Sequence, residues 1–229
     1  MPPPLPKRLA AEVLGTFGFF FTAFTGIAAL VSYGQGAILS IGVAAGFGAG
    51  LALMIFAFGH VSGGHFNPAV TLGLAVARRF PSAEVVPYWA AQIVGGIVAS
   101  VLIRVIFNGH LLHAAVSAPS RGVSDGKAFV LELIFTFLFV VVICTVAADK
   151  RAPWNGVFAP FAIGLSIFTA VTVCGPISGG SFNPARSITP ALIDGTFTHL
   201  WIYIVGPLAG GALGGLVNAM VREPDPATA

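Results

Sequence analysis

Charge is the scarcest feature of this sequence. Lysine and arginine number 11 and aspartate and glutamate 8 among 229 residues, so 8% of the chain is charged, against roughly 25% in an ordinary soluble domain. Hydrophobic residues make up 56%, and the mean hydropathy is +0.93. A water-exposed surface cannot be built from so few charges, which excludes a soluble enzyme. The net charge of +3 forms no basic stripe, so no nucleic-acid partner is expected.

Cysteine is also scarce. Cys144 and Cys174 both lie in apolar segments, and their positions give neither a disulfide framework nor a metal-binding spacing. His60 and His65 are five residues apart, with no third ligand nearby, which is a poor arrangement for a metal. No Ser/His/Asp or Cys/His constellation is present. We therefore predict no cofactor, no metal site and no enzymatic activity.

Long hydrophobic runs are abundant. Six of them are close to the roughly 20 residues that a helix needs to cross a bilayer, and none alternates polar and apolar residues as a barrel strand does. Their ranges are 8–31, 38–59, 86–107, 127–148, 156–175 and 199–221. The predicted fold class is therefore an all-α membrane protein with six transmembrane helices, surrounded by a lipid bilayer.

Positive charge predicts how these helices are oriented, because cytoplasmic loops are enriched in lysine and arginine. Two cations, Arg121 and Lys127, fall on the side away from the termini. Those on the terminal side are Lys7, Arg8, Arg78, Arg79, Lys150, Arg151 and Arg222. Both termini are therefore expected in the cytoplasm. The first span is too long for a signal peptide and lacks its cleavage site, and with the short tails this suggests a bacterial inner membrane.

The sequence contains an internal repeat. Ala11-Glu12-Val13-Leu14-Gly15-Thr16-Phe17 matches Leu131-Glu132-Leu133-Ile134-Phe135-Thr136-Phe137 at an offset of 120, and Ser62-Gly63-Gly64-His65-Phe66-Asn67-Pro68-Ala69 matches Ser178-Gly179-Gly180-Ser181-Phe182-Asn183-Pro184-Ala185 at 116. We predict a first half at 1–107, an extracellular connecting loop at 108–126 and a second half at 127–229. Three spans in each half make the repeat inverted.

The second repeated motif predicts two re-entrant half-helices, 67–77 and 183–193, which are apolar but too short to span. Asn followed by Pro is typical of a helix start, and the preceding Ser-Gly-Gly is unlikely to be helical. Half-helices that enter from opposite faces would bring Asn67 and Asn183 together near the membrane centre. Their positive dipole ends would then face one point.

These motifs resemble the aquaporins, the major intrinsic protein family, over about residues 8–221. The resemblance is carried by Ala11-Glu12 and by two Asn-Pro-Ala boxes, of which the second is followed by Arg186-Ser187. It implies a homotetramer with one pore in each subunit. It also implies passive passage of water and small neutral solutes, with protons and ions excluded.

The resemblance and the physics of a neutral pore together suggest roles for particular residues. Asn67 and Asn183 are the expected central donors, and Glu12 and Glu132 are expected to brace the re-entrant loops by accepting their backbone N–H groups. The carbonyls expected to line the pore belong to Gly63, Gly64, His65, Phe66, Gly179, Gly180 and Ser181.

The outer constriction of the family maps onto Phe47, Val171, Gly180 and Arg186. Strictly water-selective members carry His where Val171 stands, so a wider, more apolar filter is expected. The lack of bulk at Val171 and Gly180 is similar to certain plant vacuolar aquaporins and suggests hydrogen peroxide, ammonia and urea as additional permeants. Phe47 and Ser187 stand where glycerol facilitators carry Trp and Asp.

Two other functions remain open from the sequence alone. One is a glycerol-type facilitator. The other is an ion-coupled secondary transporter, since inverted repeats and broken helices occur in that class too. The core offers a coupling ion only Glu12 and Glu132.

Overall fold

A computed structural model describes residues 3–34, 37–107, 109–148 and 156–221. Of the residues used to predict orientation, Lys150, Arg151 and Arg222 lie outside the described residues. So do the first two residues of the first predicted half and residues 222–229 of the second. In the described part the chain is helical, with no strand. The helices are α1 (Leu5–Tyr33), α2 (Ala37–Ser62), α3 (Pro68–Val76), α4 (Val85–Phe107), α5 (Gly109–His113), α6 (Asp125–Val146), α7 (Ala159–Ser178), α8 (Pro184–Asp194) and α9 (Leu200–Val221).

Six of these helices, α1, α2, α4, α6, α7 and α9, are long and apolar enough to cross a membrane, which confirms the predicted number of spans. An even number places the start of α1 and the end of α9 on one face, here called the terminal face. The opposite face, here called the loop face, carries the segment between α4 and α6. Large apolar side chains such as Leu53, Val105 and Leu165 are more than half exposed, which suits contact with lipid.

Each half-helix begins at its Asn-Pro pair, as predicted. The side-chain oxygen of Asn67 caps α3 by accepting from the N–H of Ala69 (2.8 Å), and that of Asn183 caps α8 through Ala185 (3.1 Å). Proline occupies the first turn in both, where its missing N–H costs no helical bond. α8 ends at Asp194 and is followed by Gly195, whose φ of 87° is a conformation that glycine adopts at little cost.

The half-helices interlock the two halves. α3 packs on α9 and α8 packs on α4, so each half-helix rests on the last spanning helix of the other half. α3 and α9 touch backbone to backbone: a Cβ added at Gly215 would lie 2.1 Å from the carbonyl oxygen of Gly73. Only glycine allows this approach, and it holds the start of α3 at the centre of the molecule.

The segment between α4 and α6 folds over the loop face. It contains the short helix α5, which the sequence did not indicate, followed by turns. Ser120 ties it to the end of α7, because its N–H donates to the carbonyl of Ile177 (3.0 Å) and its hydroxyl to that of Pro176 (2.8 Å). The tie brings residues 115–117 towards α8.

Candidate functional site

The two re-entrant loops have the same backbone path. Gly63, Gly64 and Phe66 have φ angles of 94°, 65° and 47°, and the second loop repeats the pattern with 92°, 58° and 54° at Gly179, Gly180 and Phe182. Positive φ is inexpensive at glycine and strained at phenylalanine, so surrounding contacts must stabilise both phenylalanines. The motif therefore encodes a backbone shape as well as side chains.

The central asparagines cross-link the loops. Asn67 Nδ2 donates to the carbonyl of Phe182, and Asn183 Nδ2 donates to the carbonyl of Phe66, both at 2.9 Å. The structure thus brings the two predicted donors together, with each half-helix N-terminus against the opposite loop. Since an amide nitrogen carries two hydrogens, each asparagine keeps one N–H beyond this cross-link.

The carboxylate of Glu12 collects donors from the first loop. It accepts from the N–H groups of His65 (3.0 Å) and Phe66 (2.8 Å), from the Ser62 hydroxyl (2.7 Å) and from Gln92 Nε2 (2.8 Å). Glu12 is fully buried, so these four bonds replace the water that its charge would otherwise require.

Glu132 repeats this arrangement in the second half. It accepts from the N–H groups of Ser181 (3.0 Å) and Phe182 (2.7 Å) and from the Ser178 hydroxyl (2.8 Å). A tyrosine completes each loop: Tyr88 donates to the carbonyl of Ser62 (2.8 Å) and Tyr203 to that of Ser178 (2.5 Å). Both loops are therefore held by equivalent side chains from the spanning helices.

The first loop carries His65 where the second carries Ser181. Thr71 Oγ1 donates its single hydrogen to the carbonyl of Asn67 (3.0 Å) and accepts from Gln92 Nε2 (3.0 Å), so it must also accept from His65 Nδ1 (3.1 Å). His65 Nε2 is then an acceptor, with no hydrogen-bond partner within the described chain. His65 lines both central cavities described next.

Two stripes of side chains at helical spacing form the walls of a pore. Leu51, Ile55 and Gly59 on α2, and Ile163 and Ala159 on α7, surround a cavity of about 750 Å³ that opens at the terminal face. Spacing of four residues places each stripe on one helix face. Arg78 and Arg79 also line this vestibule.

Above the vestibule the pore narrows to a cavity of about 10 Å³, roughly the space that one water molecule requires. Apolar side chains form most of its wall, and Asn67 and Asn183 supply polar groups. The other lining residues are Phe19, Phe47, Leu51, His65, Phe139, Ile167 and Ser181. The space beside the two central asparagines is therefore about the size of one water molecule.

Arg186 lies next to this constriction on the first turn of α8 and is 3% exposed. Its Nη1 donates to the carbonyl of Ala115 (2.7 Å) and to the Ser117 hydroxyl (2.5 Å). The rings of Phe47 and Phe24 have their centroids 5.3 Å and 5.7 Å from the guanidinium carbon. The filter thus presents a cation beside two aromatic rings.

The remaining filter positions are buried or glycine. Val171 follows Ile167 by one helical turn towards the loop face and belongs to the same apolar cluster as Phe47. Gly180 has a second reason to lack a side chain: besides its positive φ, a Cβ there would lie 3.0 Å from the Cα of Gly175. The backbone itself demands glycine at this position.

The predicted carbonyl ladders have different surroundings in the structure. Gly63, Gly64 and His65 line the vestibule, and Ser181 lines the narrow section. The Phe66 carbonyl accepts from Asn183, so it also holds the loops together. Gly179 packs against Ala118 and Tyr203.

Several residues at the site escaped the sequence analysis. Phe182, Tyr88 and Tyr203 were detectable, since Phe182 repeats Phe66 and the two tyrosines are 115 residues apart, near the repeat offset. Phe24, Ala115 and Ser117 gave no such signal. A phenylalanine in an apolar span looks the same whether it faces pore or lipid, and loop residues have no periodicity.

Comparison with known proteins decides the family. The sequence model described as Major intrinsic protein matches residues 3–218. The chain belongs to the major intrinsic protein family. It is 44% identical over 217 residues to aquaporin NIP1-4 of Oryza sativa subsp. japonica, covering 94% of this chain and 77% of that protein. It is 41% identical over 225 residues to nodulin-26 of Glycine max, covering 97% and 80%.

A solved structure shares the fold of this major intrinsic protein. The aquaglyceroporin from Plasmodium falciparum superposes with a TM-score of 0.88 at 23% identity, covering 95% of this chain and 97% of that one. This confirms six spans with two re-entrant half-helices. The protein is thus an integral membrane protein and a passive channel for water and small solutes, in a family of channels rather than enzymes.

Proposed function

We propose that the channel conducts water together with hydrogen peroxide, ammonia and urea, and excludes protons and ions. The observation that carries this is the composition of the filter. Arg186 is its charged donor, Val171 stands where an imidazole would add bulk and a second donor, and Gly180 has no side chain. Small neutral solutes then meet one strong donor and an otherwise apolar wall.

The centre of the pore supports exclusion of protons and cations. Each central asparagine keeps one amide N–H that can donate to a passing water oxygen. A water molecule that accepts from both turns its hydrogens away, which interrupts a continuous chain of hydrogen bonds. Two half-helix N-termini add a positive field at the same place.

Other residues serve this site from a distance. Glu12 and Glu132 brace the re-entrant loops through the bonds described above. The carbonyls of Gly63, Gly64, His65, Phe66, Gly179 and Ser181 are the proposed acceptors on either side of the central donors. Their geometry and the family resemblance support the proposed roles of Asn67 and Asn183 as central donors and of Arg186 as the cation of the outer constriction.

Glycerol facilitation is a second candidate, and one observation favours it. Phe24 joins Phe47 beside Arg186, so the filter has two aromatic faces that could contact the carbon chain of a polyol while Arg186 binds its hydroxyls. Against it, Phe47 and Ser187 stand where glycerol facilitators carry Trp and Asp, and neither difference favours glycerol.

Stopped-flow light scattering on proteoliposomes tests the proposed solute range. Wild-type protein should accelerate water and urea entry, and an entrapped dye should report peroxide entry. Val171→His should reduce urea flux several-fold while water flux persists, because it adds a donor and bulk. Val171→Leu separates bulk from the donor, and Val173→Leu, on a half-exposed position of the same helix, is the matched control.

The outcomes distinguish the candidates. Water flux without urea or peroxide flux would contradict the wide filter, and glycerol flux equal to urea flux would favour the facilitator. Flux that saturates or follows a proton gradient would indicate the coupled transporter instead.

We also propose that the protein forms a homotetramer with a pore in each subunit and that both termini lie in the cytoplasm. The proposed first half is 1–107, the extracellular connecting loop is 108–126 and the second half is 127–229. The relatives named above come from rice and soybean, so they do not support the bacterial inner membrane that the short tails suggested. Native mass spectrometry of the detergent-solubilised protein tests the tetramer, and protease protection of a tag placed at either terminus tests the orientation.

A further inference from the structure

Three serine hydroxyls form a buried chain between the filter and the central asparagine. Ser117 Oγ lies 2.6 Å from Ser187 Oγ, and Ser187 Oγ lies 2.6 Å from Ser181 Oγ. At one end Arg186 Nη1 contacts Ser117 Oγ (2.5 Å), and at the other Ser181 Oγ contacts the carbonyl of Asn183 (3.0 Å). All three serines are at most 6% exposed.

Counting hydrogens gives one consistent direction for the bonds in this chain. A carbonyl can only accept, so the Ser181 hydroxyl donates its single hydrogen to the carbonyl of Asn183. Ser181 must then accept from Ser187. Because the only hydrogen of the Ser187 hydroxyl is donated to Ser181, Ser187 must accept from Ser117. Ser117 accepts from Arg186, which can only donate.

The direction is therefore the same at every step, from guanidinium through three hydroxyls to a carbonyl. In such chains each bond polarises the next, which strengthens the whole. The chain also joins three separate parts of the structure, namely the segment between α5 and α6, the first turn of α8 and the second re-entrant loop. Only Ser187 bonds to both of the other serines.

The first half of the molecule has a similar pair but not the chain. His65 and Thr71 occupy the positions equivalent to Ser181 and Ser187. In the first half Thr71 donates to the carbonyl of Asn67, whereas in the second half Ser181 donates to that of Asn183. The third partner of Thr71 is Gln92, which belongs to a spanning helix. The extension to a loop and an arginine is found only in the second half of the described chain.

We propose that Ser187 is a positioning residue for selectivity. It fixes Ser117, which with Ala115 holds the guanidinium of Arg186, and it thereby sets the width of the outer constriction. The inference rests on the proposed function, because width is read out as the passage of urea relative to water. Ser187 itself need not touch the permeant.

A small cavity runs beside the chain on the loop face. It has a volume of about 80 Å³, and Ser117 and Ser187 are part of its wall together with Thr196, Thr198 and His199. A void there leaves the hydroxyls less tightly packed than a filled core would, so hydrogen bonds must define their positions. Loss of one hydroxyl should therefore loosen Arg186 rather than leave it held by packing.

The experiment compares the ratio of urea to water permeability in reconstituted vesicles. Ser187→Ala and Ser117→Ala should each raise the ratio about threefold to tenfold, the factor that corresponds to one ordinary hydrogen bond. The matched control is Ser100→Ala, which removes a buried hydroxyl that bonds only to the carbonyl of Gly96 and should leave the ratio unchanged.

Two double variants separate positioning from a merely structural role. Ser187→Ala combined with Ser117→Ala should change the ratio no more than either alone, since both break one chain. Ser187→Ala should have no effect on the ratio in an Arg186→Ala background, because it acts through that side chain. Melting temperatures in detergent show whether each variant is folded.

The proposal would be overturned if Ser187→Ala and Ser117→Ala had additive effects on the permeability ratio, or if Ser187→Ala kept its full effect in the Arg186→Ala background. An unchanged ratio in a folded Ser187→Ala protein would also overturn it. If wild-type vesicles pass water but no urea, the proposed solute range fails separately. A gain of urea flux in Ser187→Ala would still support the positioning role in that case, and no gain would contradict it.

Discussion

Single residues show how a charge can be stable in the middle of a membrane protein. Glu12 and Glu132 are fully buried, yet the carboxylates accept four and three hydrogen bonds. Their backbone donors belong to loops whose N–H groups have no helical partner. Each carboxylate therefore provides acceptors for the N–H groups of one loop, and these N–H groups in turn replace the water that the buried charge would require.

Removing the negative charge should destabilise the fold. In Glu12→Gln and Glu132→Gln an amide N–H₂ replaces an accepting oxygen and meets backbone donors, at a cost of about 2–3 kcal/mol each. The thermal unfolding midpoint in detergent should fall in both. Glu84→Gln is the control: it weakens the partly buried ion pair with Arg8, whose side chains are 14% and 21% exposed, and it leaves every N–H group of the re-entrant loops with its acceptor, so the midpoint should fall less. Equal midpoints for all three variants would contradict the bracing role.

In the proposed filter, Arg186 carries the positive charge. A unit charge within about 4 Å opposes a passing cation by about 4 kcal/mol at an effective dielectric constant of 20. Arg186→Val should therefore raise the proton leak of dye-loaded vesicles at least about tenfold. Arg104→Ala should not, because Arg104 binds the carbonyl of Ile193 at the end of α8. A leak that rises equally in both would point to general damage.

Elements explain why the central asparagines lie where they do. α3 and α8 are each capped by asparagine and started by proline, and each rests on a spanning helix of the other half. The sequence predicted both half-helices because these signals are local and repeated. It could not predict α5, because five helical residues are too few to show a periodicity.

Two substitutions of Asn183 separate its role as the cap of α8 from its role as the cross-link to the first loop. Asn183→Asp keeps an oxygen for the N–H of Ala185 but loses the donor to Phe66, whereas Asn183→Ala loses both. The unfolding midpoint should be highest for the wild type, lower for Asn183→Asp and lowest for Asn183→Ala. Loss of the cap should lower the free energy of unfolding of Asn183→Ala by about 1 kcal/mol more. Asn183→Asp should also leak cations, since it places a carboxylate at the two positive helix ends. A midpoint for Asp below that for Ala would contradict this separation.

The close contact of α3 with α9 gives a second prediction at this scale. Gly215→Ala places a methyl group 2.1 Å from the Gly73 carbonyl oxygen and must push α3 outwards. We expect a loss of about 1–3 kcal/mol and a reduced water permeability. Gly126→Ala, where no atom lies within 4 Å, should leave both unchanged. Unaltered permeability in a folded Gly215→Ala protein would show that α3 tolerates the shift.

The whole molecule is an inverted repeat in which two equivalent loops meet at the central asparagines, with unequal surroundings on the two sides. Span number and the two half-helices were predictable because hydropathy and the Asn-Pro-Ala boxes are local features that appear twice. The contacts of Arg186 with Ala115 and Ser117 were not, because they depend on where a connecting segment folds. Symmetry predicts what the halves share, and long-range contacts determine where they differ.

The most direct test at this scale measures urea flux and proton flux in the same vesicles. Proteoliposomes loaded with a pH-sensitive dye are exposed to a urea gradient and a proton gradient, with protein-free vesicles as reference. A passive channel with this filter should accelerate urea entry in proportion to its gradient and leave proton entry at the protein-free rate. Urea entry at the protein-free rate, or urea entry that depends on the proton gradient, would contradict it.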